Sequence, residues 1–312
     1  MRLGKRKPHG LAALQAAYND ADAAGDTAGA TAALEAITRE FPEVSWAWFD
    51  LGLRHKWLRN WELSRDCNAR ALELIEEKTE SAEAWNLGIA ATALGDWATA
   101  RRAWRAFGID IDGEEQAPIR MNFGTAPIRL NPDPRFWEGE LLVDGVRHAT
   151  EVVWARRLCP TRAEIESVPF PESGHRFGDV VLHDGDPVGE RRHGDQVRGV
   201  FNEIALLERS PWTTLRTEVP AVDDEALGEL SDLFSERGYA AECWTRNTQI
   251  LCKACSEGAV GAQHDHEVGE EPARRETSLV IGLGAPTEEA ERLLDAWAAA
   301  APGRDRGAVY DA

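Results

Sequence analysis

Along the first third of the chain, apolar positions recur with the 3.6-residue period of helices, and the pattern itself repeats. Set in register, the segments 14–42, 48–71 and 84–107 place Gly25-Asp26, Arg59-Asn60 and Gly95-Asp96 in the same turn. Those turns are 34 and 36 residues apart. Self-similarity at this period predicts stacked helical hairpins, each a unit that cannot bury its apolar face alone. Gly52, Gly88, Ala30 and Ala100 are small enough to let paired helices approach, while Trp48, Leu51 and Trp104 can fill the grooves between neighbours.

The pattern changes beyond residue 108. A stretch rich in Pro, Gly and acid, 108–124, reads as a linker. After it come short strand-like runs at 150–157, 163–169, 178–183 and 200–207, separated by turn signals, which predict a small β-barrel or curled sheet. Asp184-Gly185-Asp186-Pro187 reads as one of the hairpin turns. From 211 onward, strands are predicted at 212–219, 239–244 and 277–283, with a short last one at 307–310. A helix at 223–237 puts Leu227, Leu230, Leu233 and Phe234 on one face, and another from Thr287 turns Leu293, Leu294 and Trp297 inward. The expected fold is a multidomain α+β chain with helical hairpins at 8–110, a β-rich region at 115–210 and an α/β region at 211–312. An insertion at 247–276 interrupts the last of these.

The second repeat reads Trp48-x-x-Leu51-Gly52-x-x-His55, Ser64-x-x-x-Asn68, then Ala71. The third has Trp85, Leu87-Gly88, Gly95-Asp96-Trp97 and Ala100-x-x-x-Trp104; the first has Leu14, Ala17-Tyr18, Ala30-x-x-x-Leu34 and Pro42. Over 8–110 this resembles the tetratricopeptide repeat, W-x-x-L-G-x-x-Y, A-x-x-x-F, P, with His55 and Ala91 departing at the tyrosine and Asn68 at the second aromatic. The resemblance implies a concave face that binds a peptide or partner protein. Trp48, His55, Trp61 and Trp85 are the contact candidates, with packing inside the repeats as their other use. In element order alone, 211–312 resembles the ferredoxin-like βαββαβ sandwich, a fold that serves many functions.

Composition narrows the function. With 43% hydrophobic residues the chain can build cores, yet no apolar run approaches the roughly 18–20 residues of a membrane span. The basic head, residues 1–9, leads into amphipathic sequence and not an apolar stretch, so a cytoplasmic protein is expected. A net charge of −19 repels phosphate backbones, which disfavours nucleic acid as a partner and suits a basic protein. Such an acidic, immunity-type binder is one alternative to a repeat adaptor.

Five cysteines do not form a disulfide framework: Cys67, Cys159 and Cys243 are scattered. Cys252 and Cys255 form a C-x-x-C, followed by His264 and His266. Two thiolates and two imidazoles are the donors of a tetrahedral Zn²⁺ site, and two histidines two apart share one face of an extended segment. With all four positions filled by protein, the site would be structural. A redox pair and a reduced polar loop are the other readings, and a metal-dependent enzyme or sensor is the second alternative function. His175, Asp179, His183, Asp184, Asp186, His193 and Asp195 match no ligand spacing. No nucleophile elbow, P-loop or dinucleotide fingerprint occurs, so the expectation is an interaction adaptor with one possible structural Zn²⁺.

Overall fold

The computed structural model describes residues 10–132, 141–193, 196–247 and 277–312. The fold is mixed α and β: helices first, then two sheets. It divides into two compact units, the first running to Met121 and taking in Leu141, the second comprising Asn122–Pro132 and Leu142–Ala312. The boundary expected near 210 therefore falls inside the second unit.

Six helices build the first unit: α1 (Leu11–Ala23), α2 (Thr27–Glu40), α3 (Ser45–Trp57), α4 (Trp61–Leu74), α5 (Ala82–Ala93) and α6 (Trp97–Phe107). They pair as three hairpins, and α2 packs on α3 and α4 on α5. Every hairpin turns in the same way. Asp26, Asn60 and Asp96 donate their backbone N–H to the carbonyls of Ala21, His55 and Ala91 at 2.8, 2.9 and 2.9 Å. The residue before each is left-handed, with φ of 72° at Gly25, 58° at Arg59 and 66° at Gly95. Glycine adopts that backbone freely, whereas at Arg59 it costs about 1 kcal/mol. Asp26 and Asp96 then cap the next helix by accepting the N–H of Gly29 (2.9 Å) and Thr99 (3.2 Å). Asn60 makes no such side-chain cap on α4.

The helix crossings explain the repeat's departures. A Cβ on Gly88 would lie 2.4 Å from the Trp104 ring, and one on Gly52 would lie 2.5 Å from Asn68 Nδ2. The same close approach is thus filled by an indole in one hairpin and by an amide in the other. Asn68 is satisfied in part locally, donating to Ser64 O at 2.8 Å, while Ser64 Oγ donates to Gly52 O at 2.9 Å.

The stretch after α6 is more than a connector. Arg101, only 1% exposed, donates from Nη1 to the carbonyls of Ala117 (2.6 Å) and Glu115 (3.1 Å), and Arg105 donates to Ile111 O at 2.9 Å. Ile111 and Ile119 are buried. A last hairpin has no neighbour to cover it, and this segment packs on α6 in place of one.

The second unit begins with a closed barrel of β1 (Thr125–Leu130), β2 (Glu151–Cys159), β3 (Arg162–Ile165), β4 (Val180–His193) and β5 (Gln196–Glu208). Ile128, Leu130, Val153, Ala155, Ala163, Ile165 and Val181 fill it. The strands follow one another as an antiparallel meander. An odd number cannot close antiparallel, so β1 meets β5 in parallel, Ile128 opposite Phe201. Asp184-Gly185-Asp186-Pro187 is not a hairpin turn: it lies inside β4, where the register with β5 shifts between His183 and Gly189. Gly and Pro within a strand mark a bulge here, not its end.

The unit continues with β6 (Thr214–Pro220), α7 (Asp224–Ser235), β7 (Ala240–Cys243), the single turn α8 (Trp244–Asn247), β8 (Ser278–Gly284), α9 (Thr287–Ala300) and β9 (Tyr310–Asp311). The strands form one sheet of order β7-β8-β6-β9 in which all neighbours are antiparallel. Leu230 and Phe234 of α7, and Leu293, Leu294 and Trp297 of α9, share one core with Leu215, Leu279 and Ile281 of the sheet. The expected inward faces of both helices are the observed ones.

Candidate functional site

The four contact candidates of the first unit stand in different settings. Trp48 is half-buried on α3 and donates its Nε1 to Pro42 O at 3.1 Å. Trp85, also half-buried, meets Trp104 and Phe107 edge-on at 5.2 and 4.9 Å between ring centroids. Trp61 is half-buried at the start of α4. His55 is 8% exposed, and burial holds its imidazole below the usual range.

A cluster that the sequence reading passed over joins α1 to α3. Tyr18 Oη donates to Asp50 Oδ2 at 3.0 Å, Arg54 pairs with Asp22, and the Arg54 guanidinium lies 5.7 Å from the Tyr18 ring centre. Trp46 packs against the same ring at 6.0 Å. Burial first, and the Asp50 charge second, push the Tyr18 phenol up to about 12; burial also raises the Asp50 carboxyl. The signal was present in the spacings Tyr18/Asp22 and Asp50/Arg54, each one helical turn apart on a shared face.

In the second unit the polar residues of the middle region separate into groups. His175 and Asp179 come together with Glu203 and Arg209. His175 Nδ1 is 3.4 Å from Asp179 Oδ2 and its Nε2 is 3.2 Å from Glu203 Oε1, all three side chains fully buried. Arg209 Nη1 bonds Asp179 Oδ2 at 2.7 Å, and the Ser210 N–H donates to Asp179 Oδ1 at 2.7 Å. The Asn131 N–H donates to Glu203 Oε2 at 3.0 Å. Burial alone would lower the His175 pKa, but Glu203 and Asp179 overcome it and carry it to about 9. The imidazolium and guanidinium thus face three carboxylates, the buried Asp179 and Glu203 and the exposed Asp144, whose Oδ2 lies 2.6 Å from Arg209 Nη2. His175, Asp179 and Glu203 are fully buried, while Arg209 reaches the surface, so the arrangement reads as a structural ion cluster.

His183 lies apart, fully buried, its Nδ1 2.7 Å from Asp184 O and its ring 5.2 Å from that of Phe201. Burial, with the Arg157 charge adding to it, presses its pKa down to about 4. Asp184 is buried beside it, Asp186 is exposed, and Asp195 lies outside the described residues. His193 ends β4. Cys252, Cys255, His264 and His266 also lie outside the described residues. Among the described residues, no group of three or more His, Cys, Asp or Glu side chains could hold a metal ion.

The second unit also contains a cavity of about 620 Å³, between the β2–β3 side of the barrel and the β7–α7 side of the sheet. Its walls meet because the chain is clamped there. The Val168 N–H donates to Glu242 Oε2 at 2.7 Å, and Trp244 Nε1 donates to Val168 O at 2.9 Å. Trp154, Trp212 and Tyr239 line it together with Arg156, Glu164 and Glu166. No single sequence motif announced it, because its walls come from five separate stretches of chain.

No protein family and no curated protein matches the sequence. Among solved structures, a mutant O-GlcNAc transferase of Thermobaculum terrenum is similar at 24% identity and a TM-score of 0.27, over 31% of this chain and 18% of that one. A likeness this slight decides nothing about function. No helix among the described residues is long and apolar enough to cross a membrane.

Proposed function

We propose that this chain is a helical-repeat interaction protein whose first unit docks a protein or peptide partner. The observation that supports it is the threefold recurrence of one turn, with the same backbone bond from Asp26, Asn60 and Asp96 and the same left-handed residue before each. Stacked hairpins of this kind present a long continuous surface, which suits recognition of an extended partner. Trp48, Trp61 and Trp85 are only half-buried and are the contact residues in this reading; His55 is buried and its carbonyl accepts the Asn60 N–H of the α3–α4 turn. The strand order β7-β8-β6-β9, with two helices on a common core, supports the ferredoxin-like reading of the C-terminal part.

The test uses the full chain carrying a photo-cross-linking amino acid at Trp61 or, as a control in the second unit, at Tyr310. Adducts to one partner from position 61 and none from 310 are expected. Adducts from 310 alone would sink the reading. The Zn²⁺ assignment to Cys252, Cys255, His264 and His266 is tested separately by metal analysis under reducing conditions. One tightly held Zn²⁺ per chain, lost on Cys252→Ser, supports it; metal-free protein removes it.

A further inference from the structure

We propose that the cavity in the second unit is a receptor for a small organic cation, an alkylammonium or alkylguanidinium. Two features of its lining, independent of the repeat surface, lead to that chemistry. The first is aromatic: Trp154, Phe177, Trp212 and Tyr239 all face it, and Trp212 meets Tyr239 edge-on at 5.8 Å and 86°. Indole and phenol faces are electron-rich and attract cations that approach within about 6 Å.

The second feature is charge. Glu164, Glu166 and Glu242 line the cavity, and among the described residues the one cationic residue in its lining is Arg156. Arg156 is already engaged: it pairs with Glu164, and its Nε lies 3.3 Å from Glu166 Oε1. Among the described residues the lining therefore carries a surplus of negative charge, and the Arg156 guanidinium is held in place by carboxylates on both sides. An anionic ligand would meet repulsion from three carboxylates and an Arg that is already paired. A neutral apolar ligand would strip water from those carboxylates without replacing their hydrogen bonds, which is unfavourable. A cation replaces the water with N–H donors and lays its alkyl stem on the indoles.

Size and framing limit the ligand further. A volume of about 620 Å³ is that of a site for a small molecule. The exposed Ser231 and Ser235 of α7 stand at the cavity as hydroxyl acceptors for further N–H groups. The Val168–Glu242 and Val168–Trp244 bonds hold the walls at a set spacing, so the site is formed before the ligand arrives.

The decisive experiment compares two ligands of the same shape, butylguanidinium and its neutral isostere butylurea, with pentanoate as the anionic control. Each is titrated into the full chain and followed by tryptophan fluorescence and calorimetry. Butylguanidinium is expected to bind at least ~10-fold more tightly than butylurea, with pentanoate not binding. Glu166→Gln, at a partly exposed position outside the clamp, is expected to weaken butylguanidinium about 10-fold without moving the melting temperature. Equal affinity for butylurea, preference for pentanoate, an unchanged Glu166→Gln chain, or no binding up to ~10 mM would each overturn the proposal. Wild-type chain labelled with 5-fluorotryptophan, its resonances assigned by single Trp→Phe changes, gives a second readout. The Trp154 and Trp212 resonances must shift on titration, and a response confined to the first-unit tryptophans would equally overturn it.

Discussion

Asn68, buried in the first unit, reaches the carbonyl of Ser64 four residues back, and the turn amide of Asn60 reaches His55. In the second unit the Asn131 N–H reaches Glu203, 72 residues on, and the Ser210 N–H reaches Asp179, 31 residues back. These first-unit bonds form within a hairpin; these second-unit bonds form only when distant stretches of the barrel region have come together. The difference should appear as graded local damage in the repeats against cooperative loss in the barrel. A nearest-neighbour solenoid sums its pieces, while a closed sheet has no piece that stands alone.

The strongest way to break that comparison is to damage each core in turn. His175→Leu leaves the buried Asp179 and Glu203 carboxylates without their shared cation, and is expected to cost about 3–5 kcal/mol. Adding Glu203→Leu should recover part of the loss, because the unpaired charge goes with it. Trp104→Ala removes a fully buried indole and should cost about 3–5 kcal/mol as well. Hydrogen exchange reads the difference: amides of α5 and α6 should lose protection most in the Trp104 variant, whereas protection should fall throughout the barrel in the His175 variant. If the Trp104 variant loosens α1 and α2 as much as α6, the repeats are not the sum of local pieces.

A second contrast is pH. His175, carried to about 9, contributes stability that is complete below its ordinary value of 6.5 and is lost as the pH rises through 9. Glu151 is raised to about 7, by burial first and the Glu242 charge next, so its ionisation between 4.5 and 7 also removes stability. His183, pressed to about 4, acts on the acid side: the unfolded chain takes up a proton below 6.5 that the folded chain refuses until 4. The shift at His175 alone corresponds to on the order of 3 kcal/mol. Melting of the barrel monitored from pH 5 to 10 should therefore fall toward the alkaline end, and His175→Gln should flatten that arm. An unchanged arm would remove the ion cluster from the explanation.

Smaller effects sharpen the repeat side. Gly88→Ala forces a methyl into the Trp104 ring and should cost about 1–3 kcal/mol. Arg59→Gly should do the reverse and stabilise the α3–α4 hairpin by about 0.5–1 kcal/mol, since a left-handed backbone suits glycine. Denaturant unfolding followed by helical circular dichroism measures both. A neutral Arg59→Gly would show that side-chain contacts of the arginine offset its strained backbone.

Local signals carried much of the fold. The repeated Gly-Asp turns, the faces of α7 and α9, and strands β6, β7 and β8 follow from period and turn chemistry, which act within a few residues. Strand β1 gave no such signal: it is buried at nearly every position, so alternation is absent, and Pro127 sits within it. The bulge in β4 looked like a turn because Gly and Pro mark both, and only pairing with β5 distinguishes them. The stretch after Phe107 looked like a linker because carbonyls that bind Arg101 leave no trace in side-chain chemistry.

By itself, then, the sequence determined the hairpins, their turns and their period, together with the order of strands and helices after residue 211. Each depends on residues close in the chain, whose conformational preferences act before any fold exists. Only the tertiary structure decided that His175, Asp179, Glu203 and Arg209 form one ion cluster. It alone also placed Arg156, Glu166, Trp212 and Tyr239 around one cavity. His175 and Asp179 stand far along the chain from Glu203 and Arg209, as Arg156 and Glu166 do from Trp212 and Tyr239, and folding of the second unit is what brings their charges and rings within reach of one another.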